Sequence, residues 1–281
     1  MPDPIRWRTQ AAERIAAFYA GHQEVEAVAL IGSVAHGWAD AYSDIEIAVF
    51  WRSDPTEERR RQIAAQVGAS DRHESGFLTE IQAWCEDYAL DGVKIDLGHW
   101  LTTTMGEIVT DVADRSDDAL SKQTSVSALL SAIPLHGDAI VREWQEEARQ
   151  YPHALAEKMV RQNLNFSPAW MLDMLAQRGD FPLVRRNLAH LAYKLFRVLC
   201  GLNRVYYPGH KWLPHYLKSL HIAPSDFCDR LDMALVAPLP QAASEFKEFI
   251  LEVIGLVEVH LPTVATAAVK ARLNEPPHFF S

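Results

Sequence analysis

Two runs decide how this chain is read: Val25-Glu26-Ala27-Val28-Ala29-Leu30-Ile31-Gly32-Ser33, and Asp44-Ile45-Glu46-Ile47-Ala48-Val49-Phe50-Trp51. The first is apolar and stops at a Gly-Ser turn, the pattern of a buried strand. In the second, Ile45, Ile47 and Val49 alternate with Asp44, Glu46 and Ala48. Side chains at i and i+2 of a strand share a face, so Asp44 and Glu46 project together while the isoleucines turn toward a core. Two carboxylates held this way repel each other unless a cation lies between them. A divalent ion relieves that repulsion, and oxygen donors suit magnesium or manganese. The Gly32-Ser33 turn, leading with its backbone N–H groups into a short helical segment, offers a cradle for phosphate. Cradle and carboxylates together point to phosphoryl or nucleotidyl transfer.

Outward from these runs, residues 6–19 have the apolar spacing of an amphipathic helix that Gly21 ends. Asp54-Pro55 reads as a helix start, Asp54 as N-cap and Pro55 in the first position, with the helix running to Gly68. Residues 77–90 are rich in aromatic and β-branched side chains and leave helix and strand open. Asp91-Gly92 is a two-residue hairpin signal. It delivers a strand over 93–100 with Ile95, Leu97 and His99 on one face and Lys94, Asp96 and Gly98 on the other. Helices are expected at 102–114 with a Thr cap, at 122–132, and from Gly137-Asp138 to about Gln150.

From Tyr151 the period-two pattern disappears. Helical periods follow at 152–177, 182–202, 211–220, 225–234 and 241–259, and a final stretch over 262–273 precedes a Pro-rich tail. The expected fold is α+β: a mixed-sheet domain with flanking helices over 1–150, then an all-helical bundle over 151–281.

Composition narrows the partners. A chain of 281 residues with 48% hydrophobic residues has material for two cores. Its formal charge of −10 argues against a nucleic-acid backbone as main partner, which clustered Lys and Arg would serve. Cys85, Cys200 and Cys228 lack metal or disulfide spacing and fit a reducing compartment. No leader-like start and no membrane-length apolar run is present, so a soluble, cytoplasmic protein is expected.

The segment Gly32-Ser33-Val34-Ala35-His36-Gly37-Trp38-Ala39-Asp40-Ala41-Tyr42-Ser43-Asp44-Ile45-Glu46 resembles the signature of the DNA polymerase beta-like nucleotidyltransferase superfamily. That signature is a Gly-Ser turn followed by Ser-Asp-x-Asp/Glu at the start of a strand. The superfamily includes kanamycin, streptomycin and lincosamide nucleotidyltransferases, poly(A) polymerases and small nucleotidyltransferases of toxin–antitoxin pairs. The resemblance implies a third carboxylate at Asp96, metal ligation by Asp44, Glu46 and Asp96, and two ions, Mg2+ or Mn2+. Glu46 departs from the commoner Asp, as in some other members. Gly32 and Ser33 would meet the β- and γ-phosphates. Lys211, read at the start of a helix where a cation opposes the macrodipole, would reach the triphosphate as basic residues of the helical domain do in small-molecule members. His36 reads as a loop histidine and Asp40 as a cap.

The expected activity is transfer of AMP from ATP to a hydroxyl of a small, antibiotic-like acceptor such as an aminoglycoside or lincosamide, with release of pyrophosphate. The alternatives are transfer to a protein or tRNA, or a non-catalytic nucleotide-binding module. Oligomeric state is left open.

Overall fold

A computed structural model describes residues 4–277. The chain divides into two compact units, Met1–Gln150 and Tyr151–Ser281. The first contains α1 (Pro4–Ala20), β1 (Val25–Ile31), the short α2 (Gly32–Ala35), β2 (Ile45–Trp51), α3 (Glu57–Val67), β3 (Ser70–Leu78), β4 (Ala83–Leu90), β5 (Val93–Leu101), α4 (Thr102–Ala113), α5 (Leu120–Leu130), β6 (Ile133–His136) and α6 (Asp138–Ala148). The strands form one sheet in the order β3-β4-β5-β2-β1-β6. Only the β2–β5 pairing among them is parallel, so the sheet is mixed and the fold is α+β.

The two faces of β2 have different fates. Ile45, Ile47, Val49 and Trp51 join Ile95 and Leu97 of β5 against Ile15 and Tyr19 of α1 and Ile63 of α3. On the opposite face, Phe50 meets Trp144 of α6 edge-on at 5.0 Å. Beside it the Trp100 ring folds over Gly98, where a Cβ would stand only 2.3 Å from the ring. The Trp100 indole donates to the Ile81 carbonyl at 2.9 Å. Aromatic packing thus closes the C-terminal ends of β2 and β5 on this face. The N-terminal ends, with Glu46 and Asp96, stay half-buried.

Under the β3–β4 edge the core is polar. Arg60 of α3, 1% exposed, is ion-paired to Glu74 and lies 4.0 Å from Glu86. Arg72 reaches Glu86 at 2.5 Å. His99 accepts the Trp51 indole N–H at Nδ1 (3.1 Å), and its Nε2 faces Glu86 Oε1 at 3.4 Å, short of an aligned hydrogen bond. Burial pushes the His99 pKa below its usual value of 6.5, against the opposing pull of Glu86. Below about pH 6.5 the unfolded chain therefore takes up a proton that the folded chain refuses, and stability falls. Urea unfolding between neutral pH and about pH 5 is expected to show that loss, up to about 1.4 kcal/mol per pH unit. His99→Gln should flatten the slope, and an unchanged slope would rule His99 out as its source.

Several local expectations are corrected. Helix α3 starts at Glu57, not Pro55, because Thr56 is the cap: its hydroxyl accepts from Arg59 N at 3.4 Å. Thr102 does not cap α4. It is the first helical residue, and its hydroxyl donates to the Trp51 carbonyl at 3.2 Å. The helix expected at 122–132 is α5, ending at Leu130, and Ile133–His136 forms β6 instead.

The second unit contains α7 (His153–Asn163), α8 (Ala169–Arg178), α9 (Phe181–Asn203), α10 (Leu213–Ser219), α11 (Phe227–Val236), α12 (Leu239–His260) and α13 (Ala267–Leu273). Helix α9 is its axis. Asp180 caps it through the Leu183 N–H, Pro182 lies in its first turn, and Val184, Leu188, Ala192, Leu195 and Leu199 form one buried stripe. The single helix read over 152–177 is two, interrupted before Pro168, whose ring disfavours helical backbone in the preceding residue. Among the described residues no helix is long and apolar enough to cross a membrane.

Candidate active site

Strand β1 delivers the chain to Gly32 with Ile31 paired to Glu46. Gly32 has φ +70°, and a Cβ on it would stand 1.5 Å from Glu46 Oε2. The Glu46 carboxylate therefore rests on the backbone of the Gly-Ser turn, in space that only glycine leaves. Gly37 also has positive φ (+75°) but would meet nothing. Both alanine variants carry a backbone cost of about 1–3 kcal/mol. Gly32→Ala is expected to cost more than Gly37→Ala in urea unfolding, because it also displaces Glu46; equal costs would mean that the carboxylate moves freely.

Ser33 is buried at 5% exposure, and its carbonyl accepts from Trp38 N at 2.9 Å. His36 closes α2 and stacks on Trp38, with ring centroids 4.2 Å apart. Burial pushes its pKa down. Asp40 caps no helix. Its Oδ1 accepts from Tyr42 N (2.9 Å) and Ser43 Oγ (3.0 Å), and these bonds hold its carboxyl below the usual carboxylate range. Arg8, 3% exposed, donates to the Ser43 carbonyl at 3.0 Å and ties the loop to α1. The loop thus enters β2 from a fixed point, with Asp44 half-buried just before the strand.

In β5, Asp96 is the parallel register partner of Glu46, so both carboxylates lie on neighbouring strands and on one face. Asp87 of β4 is the antiparallel partner of Asp96, and His73 of β3 the partner of Asp87. His73 Nδ1 stands 3.4 Å from Asp87 Oδ2. One row of side chains, Glu46, Asp96, Asp87 and His73, therefore crosses the sheet. Sequence reading missed Asp87 and His73. The signal for Asp87 was present: a two-residue turn at Asp91-Gly92 places residue 87 opposite residue 96.

Lys94 supplies positive charge to this face. Its Nζ is 2.5 Å from Asp96 Oδ1, and that bond pushes its pKa up, with Asp87 and Asp44 adding through space. Asp44, Asp96 and Asp87 are thus close enough to act on one ammonium. Among the described residues no three His, Cys, Asp or Glu side chains form a ready metal cage. The donor set still fits the hard ions expected here: Asp44, Glu46 and Asp96 supply only oxygens, and Asp96 already pairs with the Lys94 ammonium.

Lys211 belongs to the second unit, exposed in the turn before α10. It does not open that helix. Trp212, with φ +59°, is the cap, and the helix begins at Leu213 with Pro214 in its first turn. Tyr206 and Tyr207, each 3% exposed, are packing residues.

Residues 13–77 match the family model described as Polymerase beta, Nucleotidyltransferase. Residues 119–213 match one described as a domain of unknown function, DUF4037. No curated protein matches the chain. Among solved structures, a nucleotidyltransferase-like protein from Exiguobacterium sibiricum 255-15 is similar at 11% identity and a TM-score of 0.40, over 90% of this chain and 77% of that one.

Proposed function

We propose, from the premise that the N-terminal region belongs to the DNA polymerase beta-like nucleotidyltransferase superfamily, that the protein transfers AMP from ATP to a hydroxyl of a small molecule. The observation that carries this reading is the pairing of Glu46 with Asp96 on one face, against the Gly32 turn. Asp44, Glu46 and Asp96 would hold two Mg2+ or Mn2+ ions. Bound there, such ions would stabilise the charge on the entering and leaving oxygens. The backbone of the Gly32-Ser33 turn and the Ser33 hydroxyl would meet the β- and γ-phosphates, and Lys211 is assigned to the triphosphate. The acceptor oxygen attacks the α-phosphorus, the bond to the β-phosphate breaks, and pyrophosphate leaves. The hydroxyl proton passes to a carboxylate oxygen of Asp96.

Charge supports a small cationic acceptor, such as an aminoglycoside. Residues 1–150 hold 13 Lys and Arg against 26 Asp and Glu. Asp87 extends the acidic row beyond Asp96, a surface that attracts amines and repels a nucleic-acid backbone. The test supplies ATP labelled on the α-phosphate, with magnesium, to the purified chain and three pools: antibiotics, total protein and tRNA. Label on a small molecule is expected. Label on protein or RNA would replace this reading, and nucleotide binding without pyrophosphate release would leave only a binding module.

Lys94 competes with any metal at Asp96. Lys94→Met is expected to tighten Mn2+ binding a few-fold, about 1 kcal/mol at most for so exposed an ion pair. Free Mn2+ measured by electron paramagnetic resonance reads this directly; weaker binding in the variant would mean that Lys94 holds Asp96 in place for the ion.

A further inference from the structure

The second unit carries a cleft of about 400 Å³ lined by α8, α9, α12, α13 and the segment 165–168, to which the transfer chemistry assigns no role. That volume suits a small organic ligand. Phe166, Leu172, Leu191 and Ile250 give it an apolar floor, and Lys194 of α9 stands in its wall. The Lys194 ammonium donates to the Asn165 carbonyl and lies 5.3 Å from the centre of the Phe166 ring.

The cations of this cleft are not equivalent. Lys247 is neutralised by both oxygens of Asp173, at 2.9 and 3.0 Å, and Arg272 by Glu275. Lys194 has no carboxylate partner among the described residues; its contacts are a carbonyl and a ring. Its neighbours along α9 add charge of the same sign: His190 one turn before, Arg197 one turn after. Burial, then repulsion from Arg197, pushes the Lys194 pKa down. Burial, then Lys194, Arg197 and Arg186, does the same to His190. Composition agrees, since residues 151–281 hold 14 Lys and Arg against 11 Asp and Glu. An ammonium drawn partly out of water without a counter-ion costs free energy that an incoming anion would offset.

We infer that this cleft binds a small amphipathic carboxylate, its apolar body on the Phe166–Leu191 floor and its carboxylate paired with Lys194. A phosphate would call for several convergent donors or an arginine fork; one lysine above an apolar floor suits a monoanion. This inference is independent of the nucleotidyl-transfer assignment, and its test needs neither ATP nor metal.

The probe is 2-naphthoate, titrated calorimetrically into the full chain, with neutral 2-naphthalenemethanol as its counterpart. Saturable naphthoate binding is expected, weakened about 10–100-fold by Lys194→Met, the size of one charge-assisted contact. Affinity for the neutral compound should stay the same in that variant. Lys194→Arg should keep naphthoate binding, and Leu191→Trp, which fills the floor, should weaken both compounds. If Lys194→Met fails to fold, as judged by circular dichroism, Leu191→Trp and Lys194→Arg carry the test. Naphthoate affinity indifferent to Lys194→Met, or no saturation by the wild type at millimolar probe, would overturn the inference.

Discussion

Asn in place of Asp44 or Asp96 is expected to lower nucleotidyl transfer on the order of 10³-fold while leaving the fold intact. The substitution keeps shape and removes charge. Neither side chain is in the core, and the Lys94 left behind by Asp96→Asn is 54% exposed, so water can replace its lost partner. The effect should therefore appear in pyrophosphate release and not in the melting temperature. Loss of Asp96 would also remove the proton acceptor proposed for the attacking hydroxyl, so this variant tests ligand and base together. Rates within about ten-fold of wild type for both variants would leave the carboxylate row without a catalytic role.

Removal of Glu86 is expected to be the most damaging change to stability, about 3–5 kcal/mol for Glu86→Ala. Glu86 is 2% exposed and faces Arg72 at 2.5 Å, Arg60 at 4.0 Å and His99 at 3.4 Å. Burial works to raise its pKa, but the contacts with His99 and Arg72 outweigh it and the pKa falls, so it stays ionised among these partners. Its loss leaves Arg60, which is equally buried, sharing Glu74 with Arg72. The double variant Arg60→Met/Glu86→Leu should be less destabilised than the sum of its single changes, since apolar groups of similar volume can replace a buried ion pair. Urea midpoints followed by circular dichroism measure both quantities. Strict additivity would mean that the two residues act separately despite their proximity.

Part of the fold was legible because its signals are local. Strands β1 and β2 follow from apolar runs, a glycine stop and a period of two. The Asp91-Gly92 hairpin follows from two residues that take φ +52° and +78°, values an Asp-Gly pair tolerates. The extent of β3 was not legible, because it is an edge strand, Ser70–Leu78, exposed along most of its length and without an apolar alternation. Four residues, as in β6, are too few for any period to show. Lys211 was misplaced by a helical period that ran past Trp212; the left-handed backbone there, just ahead of Pro214, starts the helix later.

From its sequence alone this protein has a Gly-Ser turn, an acidic pair leading into β2, and a third acid following a hairpin, because each is set by neighbours within a few residues. Only the tertiary structure decides that β5 lies parallel beside β2, bringing Asp96 level with Glu46, whereas the Asp91-Gly92 turn by itself sets Asp87 opposite Asp96. Parallel neighbours need a long crossover, here one containing α3 and the β3–β4 hairpin, and no local pattern spans that distance. The buried Arg60–Glu86–His99 cluster depends on the same pairing, since charged residues enter a core only where another part of the chain supplies the opposite charge.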